Sequence, residues 1–140
     1  MILIYQIAGA FVLVTLTLWL QCGGLVALIA WVRRGAPDIH KLRPLHSAFL
    51  VVRVTTAMIA LQGLEVLLWA AGYRWLCFTS WESALYFSAS SYATVGYGDV
   101  VLPSKWRMLG PLESMIGVLT CGLSVSLLFA VATRLLGRER

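Results

Sequence analysis

Three long apolar stretches constrain this chain more than any other feature. Residues 2–31 carry no charge, residues 48–71 carry only Arg53 and Glu65, and residues 112–136 form a third run. A helix needs roughly 20 predominantly apolar residues to cross a bilayer core, and each stretch is that long. The chain is 60% hydrophobic and 12% charged, where a soluble domain carries about 25% charged residues, so it falls in the membrane class. At 140 residues it is too short for more than one folded unit of ordinary size. It shows no internal repeat and no low-complexity tract.

The charges describe a topology. The net charge of +5 does not form one basic patch, which argues against a nucleic-acid partner. Instead the basic residues bracket the apolar stretches. Arg33, Arg34, Lys41, Arg43 and Arg53 surround the first connection, and Arg134, Arg138 and Arg140 follow the last stretch. The connection at 72–111 has only Arg74, Lys105 and Arg107. By the positive-inside rule the N-terminus is expected outside, with the 33–46 loop and the C-terminus in the cytoplasm. The first stretch lacks a basic leader and is too long for a cleavable signal peptide. Trp31 is expected at the inner interface and Trp69, Trp75, Trp81 and Trp106 at the outer one, where amphipathic rings settle.

The 72–111 connection is the informative part. Residues 81–92 form an apolar run of about three helical turns, too short to span. Thr79 or Ser80 can cap its start, and Glu82 suits a first turn. Gly96, Gly98 and Pro103 follow, and proline cannot continue a helix. A short helix with a non-helical return between two spans is a re-entrant loop. Such backbone is tolerated at membrane depth only where protein buries it or a watery path runs beside it.

Thr94-Val95-Gly96-Tyr97-Gly98-Asp99 lies where that return occurs. Glycine adopts positive φ readily, so Gly96 and Gly98 suit a backbone that must aim successive carbonyls at one axis. The hexapeptide resembles the ion filter of the potassium channel family. WESALYFSASSYATVGYGDVVLPS, residues 81–104, is similar to the family pattern throughout, and the resemblance covers about residues 47–136. It implies that K+ sheds its hydration water onto rings of backbone carbonyls. Thr94, Val95, Gly96 and Tyr97 supply those carbonyls, and the Thr94 hydroxyl adds a ligand at the inner end. Val95 and Tyr97 side chains pack behind the filter, and Gly98 and Asp99 close it at the outer mouth. In some relatives a pore-helix glutamate partners the aspartate; Ser90 occupies that position here. One loop cannot ring an ion, so a homotetramer follows.

Further residues attach to this scheme. Glu65, about 10 Å inside the second span at 1.5 Å per residue, is expected to bond behind the filter to Ser88, Ser90 or Ser91. Glu113 is expected either to pair with Arg107 or Lys105 or to brace the filter loop. Gly117 and Gly122 are candidate gating hinges, and GVLT at 117–120 resembles the hinge region of voltage-gated relatives. The alternative for both glycines is close packing of small residues. Arg53 is expected to snorkel to the inner interface, and one arginine makes no voltage-sensing ladder. His40 and His46 read as solvated loop residues. Cys22 and Cys121 read as apolar filler, and Cys77 lies in a loop. None of the three has metal spacing.

The expected fold is therefore an all-α membrane protein. Residues 1–46 form an extra helix and cytoplasmic loop, residues 47–136 an outer helix, pore helix, filter and inner helix, and residues 137–140 a short tail. The expected activity is passive K+ conduction in a lipid membrane, by compactness a bacterial inner membrane, with no catalytic step. A weakly selective cation channel and a non-conducting regulatory or assembly subunit are the rival readings. Tyr97 argues against the first and the intact filter against the second.

Overall fold

The structure is a computed structural model that describes residues 2–35 and 44–136. His40, Lys41 and Arg43 of the expected inner loop, and Arg138 and Arg140 of the expected tail, lie outside the described residues. The described residues form four helices and no strand: α1 (Ile2–Gly35), α2 (Pro44–Leu76), α3 (Trp81–Tyr92) and α4 (Leu109–Leu136). One short 3-10 turn, Ser104–Trp106, precedes α4. Three of the helices, α1, α2 and α4, are long and apolar enough to cross a membrane.

These helices outrun the apolar stretches that define them. At 34 and 33 residues, α1 and α2 are about 50 Å long at 1.5 Å per residue. The hydrocarbon core is about 30 Å thick. Apolar patterning marks only what lipid requires, whereas hydrogen bonding continues the helix into the polar zone. Thus α1 keeps Arg33 and Arg34 in its last turn, and α2 starts at Pro44, a position that tolerates proline because its amide needs no partner. His46 therefore lies on the first turn of α2 rather than in a loop. At the other end the Cys77 and Phe78 amides both donate to the Tyr73 carbonyl, at 2.8 and 2.9 Å, and stop the helix. Ser80 occupies the N-cap of α3 without making a side-chain cap bond.

The bundle has an apolar core at each end and a polar seam between them. At one end Ala10 and Leu13 of α1 pack with Trp69 and Tyr73 of α2, Ala84 of α3, and Leu102 and Leu109. Phe87 meets Tyr73 edge to face, with ring centroids 5.0 Å apart, the arrangement that ring quadrupoles favour. At the other end Leu28 and Val32 pack with Val54 and Met58. In the middle the buried residues are polar: Thr17, Gln21, Glu65, Ser88, Glu113, Thr120 and Ser124. Large apolar residues such as Phe11, Trp19 and Phe129 are exposed. A polar interior and an apolar exterior suit a solvent of lipid tails, since polar side chains between membrane helices find partners only in each other.

Two expectations change here. Trp69 is fully buried rather than interfacial, because its indole N–H donates to Thr17 Oγ1 at 2.9 Å and ties α2 to α1. Cys22 is exposed and Cys121 half-buried, so neither is core filler within the chain. Cys77 is half-buried against the first core. Trp75 and Trp81, by contrast, are exposed.

Trp69→Ala should therefore destabilise the protein by about 3–5 kcal/mol, and Trp69→Phe by about 1 kcal/mol through the lost hydrogen bond. Trp75→Ala should cost no more than about 0.5 kcal/mol. Thermal unfolding in detergent measures all three.

Candidate functional site

The 94–98 loop is built on the last turn of α3. After Tyr92 the chain leaves the helix through Ala93 and folds back over its end. The Thr94 amide donates to the Ser91 carbonyl at 2.9 Å, and the Val95 and Gly96 amides to the Ser90 carbonyl at 2.9 and 3.2 Å. These carbonyls are among those a helix end leaves without partners. The loop is thus pinned to α3 by backbone alone.

Within the loop the sign of φ alternates. Thr94 has φ 59°, Gly96 58° and Gly98 80°, while Val95 and Tyr97 keep negative φ. In a strand successive carbonyls point to opposite sides. An alternating sign of φ departs from that pattern. Gly96 and Gly98 adopt this conformation freely. Thr94, branched at Cβ, does so at a cost of about 1–3 kcal/mol. The glycines were legible in the sequence and the strained threonine was not.

The side chains of the loop are open to one side. Val95 is 51% exposed and Tyr97 71% exposed, so within one chain neither is packed behind the backbone as expected. Tyr97 stacks on Tyr86, with ring centroids 6.4 Å apart. Tyr86 also donates its hydroxyl to Asp99 Oδ2 at 2.8 Å, and the Val100 amide donates to Asp99 Oδ1 at 3.0 Å. The Tyr86 bond is the main reason that the Asp99 carboxyl sits below the usual carboxylate range, and the same bond raises Tyr86. Asp99 thus takes its partner from Tyr86, while Ser90 serves the loop through its carbonyl.

Two fully buried glutamic acid side chains, Glu65 and Glu113, hold α3 from either side. Because α2 runs on to Leu76, Glu65 lies three turns before that helix end, about 16 Å at 1.5 Å per residue. Its Oε2 accepts from the Tyr92 hydroxyl at 2.5 Å, not from the serines proposed for it. The Tyr92 hydroxyl also lies 2.7 Å from Thr120 Oγ1 of α4. Glu113 of α4 pairs with neither Arg107 nor Lys105. Its carboxylate accepts from Ser88 at 2.5 Å and from Tyr73 at 2.8 Å. Ser88 also lies 2.9 Å from the Val66 carbonyl of α2, and Ser114 of α4 donates to the Ser91 carbonyl at 2.6 Å.

The candidate hinges differ from each other. A Cβ on Gly117 would run into the Tyr92 carbonyl oxygen, whereas nothing lies within 4 Å of a Cβ on Gly122. Glycine at 117 lets α4 pass directly against the end of α3, which is the packing alternative. Tyr86, Tyr92 and Thr120 are site residues that sequence reading passed over. A signal for one was present. Ala84, Ser88, Ser91 and Tyr92 are the buried residues of α3, a stripe at helical spacing from which the Ser88 and Tyr92 hydroxyls meet Glu113 and Glu65.

Tyr92→Phe should remove one of the two hydroxyls, Tyr92 and Thr120, that meet the buried Glu65 carboxyl and lower stability by about 1–3 kcal/mol, measured by thermal unfolding in detergent. Tyr86→Phe should raise the midpoint at which Asp99 titrates. A depressed carboxyl contributes stability above its unfolded value and loses it as pH falls through the folded one, so the change belongs to the acid side only. Carboxyl-13C NMR of Asp99 against pH reads it directly.

The sequence pattern of a family described as "Ion channel" matches residues 62–134, just over half of the chain, from the middle of α2 almost to the end of α4. No curated protein and no solved structure matches the chain.

Proposed function

This chain belongs to the ion channel family, and from that premise we propose that it is a potassium-selective channel subunit, conducting K+ passively through a pore shared with three identical copies. The alternation of φ along Thr94–Gly98 in a TVGYGD sequence carries this reading. K+ enters a narrow pore only if oxygens replace its hydration shell. In this reading the alternating φ aims successive carbonyls at one axis and offers such oxygens in a column, from Thr94, Val95, Gly96 and Tyr97, with the Thr94 hydroxyl at the inner end.

Three further observations support it. One loop gives one carbonyl per layer, so four copies are needed to surround the ion. The exposed Val95 and Tyr97 are the surfaces that neighbouring copies cover. The C-terminus of α3 lies at the inner end of the loop, where the negative end of the helix dipole favours a cation. Arg33, Arg34 and Arg53 gather at the opposite end of the bundle from the loop. This supports an orientation with that end in the cytoplasm and the N-terminus outside. Residues 1–46 then form an added segment beside a pore unit at 47–136. The work is conduction rather than catalysis.

Purified protein in liposomes tests this. A potassium gradient should drive a barium-blocked flux that a sodium gradient does not. Gly96→Ala places a Cβ where φ is positive and should lower potassium flux by at least about tenfold, a cost of about 1.4 kcal/mol. Equal potassium and sodium flux through the unaltered protein would overturn the selectivity.

A further inference from the structure

We propose that the inner end of the bundle holds an anionic phospholipid, with its phosphate on Arg34 and Arg53 and one acyl chain between α1, α2 and α4. The proposal takes from the orientation above only the leaflet that supplies the lipid, the anionic cytoplasmic one.

Two adjoining hollows carry it. The first is a cavity of about 310 Å3 whose wall is aliphatic, formed by Leu28, Val32, Val54, Leu127 and Val131, with Arg33 as the one charged residue among the described ones. It opens between three helices and is lined from each of them. The second, about 300 Å3, lies across Val32 from the first and is lined by Trp31, Arg34, Leu50 and Arg53. An apolar slot beside a basic one has the amphiphilic pattern of a lipid.

Arg53 is the residue that most needs an occupant. It stands within the α2 span, about 14 Å from the start of the helix at 1.5 Å per residue. Its guanidinium lies over the Trp31 ring at 4.2 Å and near the Phe49 ring at 5.8 Å. Ring contacts position a cation but do not neutralise it. The described carboxylates are engaged elsewhere. Glu65 bonds to Tyr92, Glu113 to Ser88 and Tyr73, and Asp99 to Tyr86, while Glu82 opens α3. A charge inside a span faces a cavity or a partner. A guanidinium held by rings beside a second guanidinium presents donors in the forked geometry that a phosphate accepts.

Exchange of the full-length protein into mixed micelles containing equal phosphatidylglycerol and phosphatidylcholine, followed by repurification, tests the site through the lipid that stays bound, measured by mass spectrometry. The unaltered protein should retain phosphatidylglycerol in excess, by about fivefold for each arginine engaged. Arg34→Gln with Arg53→Gln should bring the ratio near one, while Arg53→Lys, which keeps the charge and loses the fork, should give an intermediate ratio. Ala130→Phe alters no charge and fills the aliphatic cavity, which Ala130 also lines; it too should reduce retained phosphatidylglycerol. The double variant is compared with the unaltered protein by helicity and by size, so that a folding defect is recognised. No preference in the unaltered protein, or an unchanged preference in a folded double variant, would overturn the proposal. So would displacement of the lipid by millimolar inorganic phosphate, which would make this a free-phosphate site. The readout does not depend on conduction. Retained phosphatidylglycerol with equal sodium and potassium flux would sink the potassium selectivity and leave this proposal standing, and the reverse result would do the opposite.

Discussion

A polar group left unpaired at membrane depth costs several kcal/mol, and that cost organises the centre of this bundle. Each hydrogen bond between membrane helices contributes little by itself, about 0.6 kcal/mol on average. The asymmetry matters more than the mean: a buried carboxyl group deprived of its partner is far worse than one that never had to be buried. Glu65 and Glu113, fully buried on two different helices, therefore admit few arrangements of their neighbours. Each must be met by a hydroxyl, and both hydroxyl-bearing faces belong largely to α3, through Tyr92 and Ser88. The carboxylates act as fixed points that set where the short helix lies between α2 and α4.

The position of α3 in turn sets the loop. Its last carbonyls, on Ser90 and Ser91, take the amides of residues 94–96, and Ser114 of α4 reaches the Ser91 carbonyl from the other side. A left-handed threonine costs about 1–3 kcal/mol, more than one such bond returns. The strain at Thr94 persists because several bonds hold the same few residues at once. Gly117 completes the fit by letting α4 approach the Tyr92 carbonyl. Membrane-depth polar pairing thus reaches the loop conformation through one helix end.

Much of this was legible in the sequence. The three spans, the short helix and the TVGYGD return follow from apolar run length, from glycine and proline chemistry, and from a distinctive motif. The helix ends were not legible, because lipid fixes where a run must be apolar and says nothing about where hydrogen bonding stops. That is why α2 runs on to Leu76, five residues past the second apolar stretch. The need for partners at Glu65 and Glu113 was visible, whereas their identities were not. Pairing them means knowing which faces of α2, α3 and α4 meet, and that is a property of helix rotation. Trp69 illustrates the same limit. Its amphipathic ring fits an interface and a polar seam equally well, and only the approach of Thr17 on α1 decides between them.

That approach also gives α1 a definite place. The helix lies outside the 62–134 family match, yet it is bonded into the seam. Gln21 Nε2 donates to the Thr120 carbonyl and to Ser124 Oγ, each at 3.0 Å, and Thr17 accepts from Trp69. Thr120 is the shared element. Its carbonyl faces α1 while its hydroxyl lies against Tyr92, the residue that ends α3 and bonds to Glu65. A rotation of α4 about its axis moves both sides of Thr120 together. It cannot release Gln21 without also disturbing the residue on which the 94–98 loop is built, and each released group would stand unpaired among lipid-embedded helices. The added helix and the end of α3 are therefore coupled through one threonine on α4, by the same pairing requirement that places α3.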